Sequence, residues 1–159
     1  MVLLVLIDQM SKLYVSGTYE LGERTEVIPD FFYIQYVRNA GAAWSFLSGK
    51  EWAQTFFVIL TSVSLVIFLF FFIWAARREK RFLQFIIMFI IGGAIGNFID
   101  RIAYGNVVDF LSFYFGKYRF PVFNIADSVM FIGILLVIIY MLFIDEGAVF
   151  KKKKKDEKS

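Results

Sequence analysis

The sequence predicts a membrane protein with an all-α core: four transmembrane helices with both termini cytoplasmic, a small extracytoplasmic β-cradle and a short outer loop or helix. Three observations carry that expectation. Of the 159 residues, 59% are hydrophobic and 21 are Phe, with a mean hydropathy of +0.66, whereas soluble domains hold about 45–50% apolar residues. Four apolar segments can be drawn along the chain. Basic residues gather in two short stretches that lie two segments apart. The length and the lack of a visible repeat predict one membrane domain over residues 1–159.

The segments are residues 1–16, 52–76, 82–99 and 124–144. The last three are long enough to cross a hydrocarbon core of ~30 Å at ~1.5 Å per residue. The first reaches only ~24 Å. It has the length of a signal peptide but no basic start, and Asp8 sits within its apolar stretch. It is therefore read as a retained first helix, a turn or two short at its beginning. Orientation comes from Arg77, Arg78, Lys80 and Arg81 between the second and third segments, and from Lys151 to Lys155 in the tail. The positive-inside rule places both stretches in the cytoplasm, so the segment 18–47 and the loop 101–123 face outward. The net charge of +3 misleads, because residues 145–159 alone carry six Lys against four acids. Such a tail is a disordered anchor near anionic lipid, and no nucleic-acid partner is expected.

The outer segment reads as β structure. Glu26–Val37 is rich in aromatic and β-branched residues, Pro29–Asp30 makes a turn, and Gly17, Gly22 and Gly41 punctuate it.

With this topology the unusual polar residues converge on one side. Asp8 and Lys12 lie toward the outer end of the first helix, Asn97 and Asp100 close the third, Asp109 is in the outer loop, and Asp127 opens the fourth. Charge at the ends of apolar spans is costly and marks function. Asp8 and Lys12 are four apart on one helical face, which suits either a salt bridge tying helices together or a contact to substrate. Gly92 and Gly96 form a GxxxG helix contact. Asn97, Asp100 and Arg101 can share one polar corner, and Arg101 could grip a carboxylate or phosphate. Asn39 followed by Ala40, Gly41, Ala42 and Ala43 is either a turn or an edge that a ligand can approach.

The chain has no Cys and no His. Thiol nucleophiles, Ser–His–Asp triads and HExxH zinc sites are therefore excluded, no metal or cofactor is expected, and acid–base chemistry falls to carboxylates, Lys or Tyr. A Ser–Lys pair is poorly served, since Ser11 is adjacent to Lys12 and points elsewhere on a helix. Asp109 and Asp127 are the pair that could do chemistry, one taking a proton from water while the other gives one. Asn124 is the expected N-cap of the last helix, with Asp127 in its first turn favoured as the anion and Asp109 as the proton holder. The residues alone leave a second reading open, in which each Asp merely caps a helix.

Five blocks together resemble the bacterial lipoprotein signal peptidases, or signal peptidase II: D-x-x-S/T-K at Asp8–Lys12, N-x-G-A-A at Asn39–Ala43, G-N-x-x-D-R at Gly96–Arg101, V-x-D-F at Val107–Phe110 and F-N-x-A-D at Phe123–Asp127. The resemblance implies an intramembrane aspartic endopeptidase of the bacterial cytoplasmic membrane. It would cut prolipoproteins before a diacylglyceryl-modified Cys at the outer face, with Asp109 and Asp127 as the dyad. Asp8, Lys12, Asn39, Gly41, Asn97, Asp100, Arg101, Asn124 and Ala126 would support it, membrane lipid would surround it, and globomycin-type cyclic peptides would inhibit it. Two departures are a short start before Asp8 and Trp44 where Phe is commoner. The rival readings are a small proton-coupled carrier, which would place acids near the midplane and show a repeated half, and a lipid-binding subunit without activity.

Overall fold

The computed structural model describes residues 1–41 and 52–145. Ala42, Ala43 and Trp44 of the small-residue loop, and the tail from residue 146 on, lie outside them. The order is α1 (Val2–Thr18), β1 (Arg24–Ile28), β2 (Phe32–Asn39), α2 (Ala53–Arg77), α3 (Arg81–Tyr104), β3 (Val107–Phe115), β4 (Tyr118–Arg119) and α4 (Ile125–Ile139), which runs on into a π turn at Tyr140–Ile144. Among the described residues, three helices are long and apolar enough to cross a membrane: Ala53–Arg77, Arg81–Tyr104 and Ile125–Ile144.

α3 is the central helix. It buries residues along its length from Leu83 to Asp100, whereas α2 buries Ala53, Phe57 and Ala75 and leaves most of its Phe, Ile and Val side chains exposed. That distribution fits one helix surrounded by protein and others turned toward lipid. Close approach to α3 depends on glycine. A Cβ at Gly96 would stand 2.5 Å from Asp8 Oδ2, one at Gly92 would touch Leu4, and one at Gly93 would strike the Ala126 carbonyl. The Gly92–Gly96 pair thus receives α1, and Gly93 receives α4. On α4, Gly133 gives the same room to Ile90.

The sheet has the order β1-β2-β3-β4, with its neighbouring strands antiparallel. The β1–β2 turn falls at Pro29–Asp30 as the sequence predicts, Asp30 taking φ 56° while its N–H donates to the Glu26 carboxylate at 2.8 Å. Two expectations are corrected. The third helix runs past Ile99 to Tyr104, where Gly105 at φ 74° caps it. The 101–123 connection is not a loop or short helix: VVDFLSFYF is a strand buried over Val107–Phe110. Alternating β-branched and aromatic residues favour that conformation once a partner strand is present, and β2 supplies it.

The chain between β3 and α4 is tied down by three backbone bonds. Phe110 and Leu111 N–H donate to the Phe123 carbonyl at 3.0 and 2.8 Å, and Phe123 N–H donates back to the Leu111 carbonyl at 3.1 Å. This clamp brings the first turn of α4 against β3. Beneath the sheet, Val15 of α1 packs with Tyr36, Val108 and Phe110.

Gly96→Ala should cost about 1–3 kcal/mol by forcing α1 off α3. Gly17→Ala, with nothing within 4 Å of its added Cβ, should be neutral or slightly stabilising. Thermal unfolding of both variants in the same detergent checks this; equal midpoints would refute the close-approach role of Gly96.

Candidate active site

The polar residues form one connected network built on Lys12, which is 2% exposed. Its Nζ lies 2.8 Å from Asp8 Oδ2 and 3.2 Å from Asp100 Oδ2, and donates to Asn97 Oδ1 at 2.9 Å. Each carboxylate does further work. Asp8 Oδ1 accepts the Ala126 N–H at 2.8 Å, fixing the start of α4. Asp100 Oδ2 accepts the Val108 N–H at 3.0 Å, fixing β3. One cation and its two acids, carried on α1 and α3, thus orient two further elements.

Asn97 and Asn124 carry this order to the acidic pair. Asn97 uses Oδ1 to accept from Lys12 and from Asn124 Nδ2 (3.0 Å), which leaves Nδ2 to donate to Asp127 Oδ1 at 2.7 Å. Asn124 caps α4 by accepting the Asp127 N–H at 2.9 Å, while its own N–H donates to Asp127 Oδ2 at 3.2 Å, a reciprocal capping box. Its Nδ2 also reaches Asp109 Oδ1 at 2.8 Å. Asp109 pairs with Val37 across the sheet, so Asn39, two residues along β2 on the same face, donates to Asp109 Oδ2 at 2.9 Å. Asn39 Oδ1 in turn accepts the Gly41 N–H at 2.9 Å.

Asp109 and Asp127 both border a cavity of about 500 Å³ whose walls include Phe57, Leu60 and Phe68 of α2 with Met130 and Ile134 of α4. Burial, and next the neighbouring Asp127 charge, push the Asp109 carboxyl up to about 7, although Asn39, Asn124 and Lys12 pull the other way. A carboxyl that still holds its proton near neutrality, facing a second carboxylate, is equipped both to give and to take a proton. Among the described residues there is no cluster of three acids that could hold a metal ion.

The model of the signal peptidase (SPase) II family matches residues 1–143. The chain belongs to the signal peptidase II family. It is 41% identical over 142 residues to the lipoprotein signal peptidase of Listeria welshimeri, covering 89% of each chain. To that of Staphylococcus aureus it is 46% identical over 141 residues, covering 89% of this chain and 84% of the relative. It also superimposes with a TM-score of 0.80 on a bacterial membrane enzyme solved in meso at 2.3 Å resolution, at 45% identity over 89% of this chain and 84% of that one.

In this signal peptidase II chain, the residues expected at the site do not all play one part. Asp8 and Lys12 form the ion pair that their spacing allows. Asn97 and Asp100 face Lys12, whereas Arg101 leaves that corner for the cavity wall, its guanidinium 5.3 Å from the Phe57 ring centroid and 3.4 Å from the Asn97 carbonyl. Ala126 contributes its N–H and its small size, since a Cβ at Gly96 would lie 3.2 Å from its own. Two glutamines were missed. Gln9 Nε2 lies within hydrogen-bond distance of Asp8, of the Gly96 carbonyl (3.1 Å) and of Asp100 (3.0 Å), and Gln54 donates to the Arg101 carbonyl. Both are amides in apolar helices, and that rarity was the available signal.

Lys12→Met should destabilise by about 3–5 kcal/mol, because Asp8 and Asp100 would remain buried without their cation. The midpoint of thermal unfolding should fall by on the order of 10 °C. An unchanged midpoint would show that the ion cluster is not what holds α1.

Proposed function

We propose that Asp109 and Asp127 are the catalytic dyad of an endopeptidase that removes signal peptides from diacylglyceryl-modified prolipoproteins, cutting before the lipidated Cys. The carrying observation is that two carboxylates, each held by asparagine amides, border one cavity whose lining from α2 and α4 is mostly apolar. Family membership and the lipoprotein signal peptidases among its relatives supply the substrate class and disfavour the carrier and the inactive-subunit readings.

The proton inventory sets the reaction. Asp127 receives the Asn124 N–H and the Asn97 amide, donors that complement an anion. It takes a proton from a water lying between the two acids while that water's oxygen bonds to the scissile carbonyl carbon. Asp109 gives its proton to the carbonyl oxygen, and a gem-diol forms. Asp109 then recovers a proton from the diol, Asp127 passes its proton to the nitrogen, and the C–N bond breaks. The dyad returns to its starting state, and no acyl-enzyme is needed.

The topology belongs to the same proposal. Arg77, Arg78, Lys80 and Arg81, with the Lys-rich tail, face the cytoplasm, so that four helices span the bacterial cytoplasmic membrane with both termini inside. The acidic pair then opens at the outer face beneath the sheet. The signal peptide's apolar helix lies against α2 and α4, with the diacylglyceryl group in the outer leaflet. Arg101, Asn39 and Gly41 border the cavity and contact the substrate, and globomycin-type cyclic peptides compete for it.

Asp109→Asn and Asp127→Asn should each fold yet lose on the order of 10²–10⁴-fold or more in turnover, read as cleavage of a purified diacylglyceryl prolipoprotein. Wild-type rate in either variant would end the proposal, as would strong inhibition by EDTA. The pH dependence has a definite sign. Asp109 must hold its proton, and its carboxyl titrates near 7. Activity should therefore decline as pH rises through about 7, approaching tenfold per unit beyond it. A rate–pH profile that stays level up to pH 9 would remove Asp109 from the acid role.

A further inference from the structure

A second cavity lies at the end of the helices remote from the acidic pair, between α2, α3 and the π turn. It measures about 320 Å³ and is lined by Phe71, Ile87, Val137 and other apolar side chains, with Trp74, Lys80 and Asp145 at its polar end. Its floor is sealed, Ile87 being 3% exposed, while its rim is open, Phe71 being 49% and Met141 62% exposed. The opening therefore faces sideways, where lipid tails would lie. At the polar end Lys80 Nζ is 2.5 Å from Asp145 Oδ1 and 5.2 Å from the Trp74 ring centroid. The Tyr140 hydroxyl donates to Asp145 at 3.2 Å, a meeting of residues five apart that the wider π turn permits. Arg77, Arg78 and Arg81 are exposed beside this end, so residues 77–81 place four cations beside one acid, Glu79.

We propose that this cavity is a binding site for one anionic phospholipid, an acyl chain in the groove and the phosphate on the Arg77–Arg81 turn. The shape fits a single chain entering from the side, and basic clusters where helices leave the bilayer select anionic headgroups. Charge decides against the substrate's own helix as occupant, because the basic start of a signal peptide would meet the same cations. The site is separate from the dyad and does not rest on the peptidase mechanism.

The full chain is placed in nanodiscs containing equal phosphatidylglycerol and phosphatidylcholine, released, and weighed by native mass spectrometry. One phosphatidylglycerol should be retained per chain in preference to phosphatidylcholine. Arg78→Gln with Arg81→Gln, both on the exposed turn, should cut that preference by roughly five-fold per arginine. Val137→Trp, which fills the groove, should abolish retention of either lipid, with circular dichroism confirming the helix content of both variants. Equal retention of the two lipids, a preference for phosphatidylcholine, or a preference that the arginine variant leaves intact would overturn the proposal. Because the arginine variant changes only exposed side chains, it decides the matter even where Val137→Trp fails to fold.

Discussion

The buried ammonium of Lys12 is the contact on which the rest of the site depends. An isolated cation in this surrounding would cost several kcal/mol in lost hydration. It is tolerable only because Asp8 and Asp100 flank it at 2.8 and 3.2 Å and Asn97 Oδ1 accepts its third hydrogen bond. The converse also holds. Each acid also accepts a backbone N–H, one at the start of α4 and one on β3. The cost of burying charge is thus offset by contacts that fix where two other elements begin. A hydrophobic replacement of the whole cluster would be no less stable on general grounds, but it would leave those two N–H groups, and the elements that carry them, unheld.

Close packing is the second requirement, and glycine meets it. Gly96 lies against the Asp8 carboxylate and Gly93 against the Ala126 carbonyl, so α1 and α4 both reach α3 at the level of the ion cluster. In lipid no hydrophobic force drives helices together, and the gain comes from packing and hydrogen bonds between closely approaching backbones. The network and the glycines therefore depend on each other. Without the glycines the donors and acceptors would stand too far apart, and without the network the glycines would only cost helix stability.

Much of this was legible in the sequence because spacing encodes it. Asp8 and Lys12 at i,i+4, Asn124 as N-cap and the Pro29–Asp30 turn each follow from local rules and need no tertiary knowledge. What was not legible depends on partners distant in sequence. β3 read as a loop because its strand character requires β2, some 70 residues earlier, as a neighbour. Asn97, Asp100 and Arg101 looked like one corner, but the first two face α1 and the third turns toward Phe57 of α2, a distinction set by which helix packs on each side of α3. The reciprocal bond from the Asn124 N–H to the Asp127 carboxylate also escaped, since Asp in the first turn is common and the capping box is usually recognised by Glu or Gln at that position.

The lack of His and Cys carries a structural consequence as well as a chemical one. Carboxylates titrate near 4 in water, so an acid that must hold a proton near neutrality has to be moved by its surroundings. Burial of Asp109 on a strand covered by the clamp to Phe123, with the Asp127 charge beside it, does this. The same surroundings must not neutralise the partner too. Lys12 is one amide away from Asp127 through Asn97, close enough to favour negative charge in the pair and too far to form an ion pair that would quench it. A cation placed directly between the two acids would hold both ionised. Offset by Asn97, it leaves room for the single shared proton that the proposed water activation by two carboxylates requires.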